Sequence, residues 1–178
     1  MSHFMLPVAR RLAAVLMAAF VASGAVAGPK ATPFAAKLRL TETVMFQWAL
    51  PCFAVGSLQA VGDATHLGKV TATSHDCINP QGVFDASGPN SFSFATIGAG
   101  TAGLVFIAAN GDFLFVTYSG TLTAQPSGPH RITGQFIFTG GTGRFVGATG
   151  GGSLSGYEDI SQIVSGFGEI EAIGTIVY

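Results

Sequence analysis

The sequence predicts an all-β chain: a single antiparallel β-barrel of about eight strands, preceded by a cleavable signal peptide. Three observations carry this. Short apolar runs alternate with glycine, asparagine and proline, and no stretch sustains a helical period over the length a helix needs. Several runs alternate apolar and polar residues in the manner of strands with one buried face, as in "RITGQFIFT" (131–139). Glycines recur inside the strand candidates, where they let a sheet bend until it closes and leaves no edge.

The chain begins "MSHFMLPVARRLAAVLMAAFVASGAVAG", with Arg10 and Arg11 before an uncharged apolar run and small residues flanking a cleavable bond. This basic, apolar, small-residue order predicts a signal peptide over 1–27, cut between Ala27 and Gly28. The apolar run is shorter than the roughly 20 residues that span a bilayer, so no membrane span is expected in the mature protein. Residues 28–40, "GPKATPFAAKLRL", read as an extended leader, and 41–178 as the barrel domain.

Strand candidates follow at 42–50, 53–61, 65–73 and 91–97, with 79–90, "NPQGVFDASGPN", as a loop. The clearest hairpin is "GLVFIAANGDFLFVTYSGTL", where Asn110-Gly111 suits a two-residue turn. That register pairs Ile107 with Leu114 and Val105 with Val116. It places Leu104, Phe106, Phe113 and Phe115 on one face and Val105, Ile107, Leu114, Val116 and Tyr118 on the other. Both faces are apolar, which predicts burial on two sides, the outer one against another subunit or chain segment. Next come "RITGQFIFT", with Ile132, Gly134, Phe136 and Phe138 on its apolar face, and a short strand at 152–157. Last is "GEIEAIGTIVY", with Ile170, Ala172, Gly174, Ile176 and Tyr178 facing one way.

Beyond the signal segment the chain carries six Lys plus Arg against nine Asp plus Glu. No basic stripe exists to neutralise phosphates, so no nucleic acid partner is expected. Cys52 and Cys77 are the two cysteines, and export favours a disulfide between them. The competing reading is a metal or redox site, since "SHDC" sets His75 and Asp76 beside Cys77. Adjacent strand residues point to opposite faces, however, and no C-x-x-C occurs.

"GAGTAG" (98–103) matches the dinucleotide pattern in letters, but a strand follows it where a helix would have to hold the pyrophosphate. No G-K-[ST], no nucleophile elbow and no metal-ligand spacing of histidines occurs, so neither cofactor nor metal is expected. Glu158 and Asp159 read as loop neighbours. His66, on a strand face with Gly68, Val70 and Ala72, either sits at a barrel mouth to bind a ligand or move a proton, or is a hydrogen-bonded core histidine. In the glycine-rich run 138–156, Gly140 to Gly143 turn the chain and Phe145 tucks under one barrel end as a plug. Arg144 there meets a rim carboxylate or a ligand.

Three segments in order, "GDATHLGKVTATS" (62–74), "AANGDFLFVTYSGTL" (108–122) and "FTGGTGRFVGATGGGSLSG" (138–156), resemble secreted bacterial proteins with an allene oxide cyclase-like or dirigent-like barrel of calycin type. The resemblance implies an eight-stranded antiparallel barrel, a homotrimer as in many plant relatives, and periplasmic or extracellular location. It carries over no catalytic residue. The expected function is binding of a small apolar molecule in or at the mouth of the barrel, with His66, Tyr118 and Arg144 as candidate ligand contacts. A cofactor-free isomerase or a coupling-guiding enzyme is the alternative, and a structural or partner-binding role a third.

Overall fold

The computed structural model describes residues 30–48, 50–85, 90–162 and 164–178. The signal segment and the Ala27–Gly28 bond lie outside the described residues. The described residues form nine strands: β1 (Thr32–Phe46), β2 (Ala54–Ala64), β3 (Gly68–Pro80), β4 (Phe92–Thr96), β5 (Leu104–Ile107), β6 (Phe113–Thr123), β7 (His130–Gly141), β8 (Thr149–Gln162) and β9 (Ser165–Val177). All pair antiparallel. β4 and β5 stack end to end between β3 and β6, so the nine strands make the eight staves of a closed barrel. The break between these half-strands is "GAGTAG", where Gly98 and Gly100 take positive φ and a single 3-10 turn forms. No helix follows those glycines, as the sequence implied.

The first strand corrects the expected boundary. Residues 32–40 are not a leader but the first part of β1, with Phe34, Ala36, Leu38 and Leu40 buried and Lys37 and Arg39 outside. Pro33 is accommodated next to the strand's first residue, a position where a proline can be tolerated in a sheet. Strand candidate 42–50 is the second part of the same strand and stops at Phe46.

The hairpin is also corrected. The register pairs Phe106 with Leu114 and Val105 with Phe115, one residue away from the expected one. Ala108 N bonds to Asp112 O and Gly111 N to Ala108 O, so the loop has three residues and Gly111 closes it at φ +86°. A one-residue slip exchanges faces. Leu104, Phe106, Leu114, Val116 and Tyr118 therefore face the interior, while Val105, Ile107, Phe113 and Phe115 lie on the exterior.

One end of the barrel is closed. Phe145, in a 3-10 turn after β7, is fully buried among Leu67, Leu114 and Ile176, which are at most 1 % exposed. Its ring packs on Tyr178 with centroids 5.3 Å apart. Thr142 fixes the turn's approach by accepting from Phe113 N and donating its own N–H to Phe113 O. Higher up, Phe34, Phe136 and Phe138 form an aromatic layer with centroid separations of 4.9 to 5.7 Å. Aromatic pairs in tilted or edge-on contact add to the stability that area burial supplies.

Candidate functional site

The opposite end is open. A cavity of about 620 Å³ enters the barrel there, walled by Val44, Phe46, Phe53, Ile78, Phe92, Leu122 and Ile160. An aromatic collar rims it. Trp48 lies 4.8 Å from Phe53 and 5.3 Å from Phe46 between ring centroids, and Phe84 lies 4.9 Å from Phe53. Two smaller voids of about 40 and 60 Å³ continue toward the closed end, the last lined by apolar side chains and Tyr118.

Local structure holds the collar in place. Cys52 and Cys77 form a disulfide, tying the β1–β2 connection to β3. At a sequence separation of 25, the link removes unfolded-chain entropy corresponding to about 3.5 kcal/mol. Asn79 Oδ1 accepts the Phe53 N–H at 2.9 Å, and His130 Nε2 donates to Asn90 O at 2.8 Å, anchoring the loop that carries Phe84.

At the cavity floor three carboxyls converge from three strands: Glu42 on β1, Asp76 on β3 and Glu158 on β8. Strand alternation puts them inside, because Glu42 continues the parity of Leu38 and Leu40, Asp76 that of Ala72, and Glu158 that of Leu154. Two glycines give them room. A Cβ at Gly56 would overlap the Glu42 carboxyl, and one at Gly166 the Glu158 carboxyl. Asp76 is served by fixed donors: Tyr118 Oη donates to it at 2.6 Å and Ser74 Oγ at 3.3 Å. Glu158 Oε1 is buried and has no such donor. Glu42 can serve this carboxyl only by carrying a proton itself.

These surroundings favour neutral acids. Burial, then the charges of Glu158 and Asp76, push Glu42 up to about 9. Burial raises Glu158 to about 7 despite the hydrogen bond from Glu42. Burial also raises Asp76 to about 6, with Tyr118 and Ser74 opposing it. Tyr118 itself is pushed well above its usual range by burial and the Asp76 charge. Carboxyls that hold protons near neutrality can donate as well as accept hydrogen bonds. Among the described residues no group of His, Cys, Asp or Glu is arranged to hold a metal ion.

Of the three residues singled out in the sequence, Tyr118 alone reaches this site. His66 is in the β2–β3 turn, not in a strand, at φ +65°, with Nε2 donating to Pro33 O at 2.8 Å. Its ring packs on Tyr178 at the closed end. Arg144 is there too, bonded to the His66 carbonyl, 4.0 Å from Asp112 and over the Phe145 ring. Those two residues brace the plug. Glu158, expected in a loop, is in β8.

No protein-family model matches the chain, and neither a curated protein nor a solved structure matches it. Among the described residues no helix is long and apolar enough to cross a membrane.

Proposed function

We propose that the barrel binds a small, mostly apolar molecule through its open end. The observation that carries this is the asymmetry of the two ends: one is sealed by Phe145, while the other holds a 620 Å³ cavity with an aromatic collar. That volume and lining suit a compact organic ligand. Trp48 is the sole tryptophan and stands on the rim, so it reports occupancy. Titration with the neutral fluorophore N-phenyl-naphthylamine is expected to give saturable energy transfer from Trp48. Brightening without saturation, or without transfer, overturns the reading.

A second reading is a cofactor-free isomerase or coupling-guiding enzyme of dirigent-like kind. Glu158 favours it, since a carboxyl titrating near neutrality is suited to general acid–base work. Resemblance of the three quoted segments to such secreted barrels, and a disulfide that oxidising compartments permit, support export and homotrimer formation. Outward Val105, Ile107, Phe113 and Phe115 would lie in the trimer contact. Intact mass and sedimentation of the exported protein check both. A chain retaining residues 1–27, or a monomer at all concentrations, counts against them.

A further inference from the structure

The cavity is apolar along its walls and acidic at its floor, and among the described residues no Lys or Arg lines it or the two smaller voids that share its lining. The titratable groups facing it are Glu42 on β1, Asp76 on β3, Tyr118 on β6, His130 on β7 at the mouth, Glu158 on β8 and Asp85 in the loop. β2 and β9 contribute Leu58 and Ile170 to the floor. Glu158 is 5 % exposed and lines this internal void; its Oε1 has no fixed donor, and Glu42 serves the carboxyl only when protonated. Among the described residues these acids are not grouped as metal ligands, and the apolar walls above them suit an organic cation.

We infer that the ligand carries a primary ammonium group, which enters behind its apolar body and sits against Glu158 and Glu42 at the cavity floor. This rests on the binding reading above and names the chemical class of its ligand. The ammonium supplies N–H donors to Glu158 Oε1 and takes over the place of the proton between the two glutamates. That proton is released to solvent, so charge at the floor is conserved. The aromatic collar covers the apolar body and keeps water from screening the ion pair. Asp76 stays with its Tyr118 and Ser74 donors and adds negative potential without direct contact.

Two isosteric probes separate this from simple apolar binding: naphthylmethylamine, protonated at neutral pH, and naphthalene methanol, which is neutral. Calorimetry on the full mature protein at pH 7 is expected to show the amine binding about ten-fold or more tightly, as a charge-assisted hydrogen bond implies. Titrations in buffers of different ionisation enthalpy are expected to show proton release with the amine and none with the alcohol. Glu158→Gln, close in shape, is expected to remove the amine's advantage over the alcohol. Equal binding of both probes by the wild type, with no proton release, overturns the ammonium inference while the cavity reading stands. Binding of neither overturns both.

Discussion

Thermal stability is expected to fall as pH rises from about 5 to about 9, and Glu42→Gln is expected to remove most of that fall. Glu42, Glu158 and Asp76 all hold their protons more tightly in the folded chain, at about 9, 7 and 6, than their ordinary values of 4.5, 4.5 and 3.8. Between those limits the folded state binds more protons than the unfolded one, so stability declines with pH. The contribution is intact below about 4 and lost progressively as each folded-state value is passed. A neutral amide at position 42 meets the burial requirement at every pH and removes one acid from the coupled group. Calorimetry across pH should show Glu42→Gln melting at least about 5 °C above wild type at pH 9 and close to it at pH 5. A wild-type Tm that rises through this window would mean the acids are charged and satisfied some other way.

Phe145→Ala is expected to be the most destabilising single change at the closed end, at about 4 kcal/mol. Its ring is fully buried, meets Tyr178 edge-on, lies under the Arg144 guanidinium and fills the end of the barrel. Removing it leaves a void that the closed sheet cannot collapse to fill. A fall of about 10 °C in Tm should follow, with Phe145→Leu losing roughly half as much. Chemical denaturation of both variants provides the check. A change below 1 kcal/mol would show that the plug does not seal the barrel.

The barrel was legible in the sequence because strand alternation and turn residues report local geometry. "RITGQFIFT" and "GEIEAIGTIVY" present the faces their patterns indicated. The hairpin register was not, because Asn-Gly serves both two- and three-residue loops and both faces of that hairpin are apolar. Burial could not choose between registers there. Pro29 and Pro33 masked β1, although Phe34, Ala36, Leu38 and Leu40 already alternate with Ala35, Lys37 and Arg39. The acid cluster was missed for a different reason. Its members come from β1, β3 and β8, and only barrel closure brings them together. Each nonetheless carried a signal: an acid continuing the inward parity of its strand. Plug residues Phe145 and Arg144 were readable as a corner, whereas His66 was assigned to a strand because "HLGKVTAT" alternates without revealing the turn at its start.

Methyl NMR with naphthalene methanol shows whether the open end of the barrel is a ligand site. Shifts are expected at Val44, Ile78, Leu122 and Ile160 in the cavity wall, with Leu67, Leu114 and Ile176 at the plugged end unmoved. Shifts confined to the exterior residues Val61, Ile137 and Ile173, or no shifts at all, would contradict it.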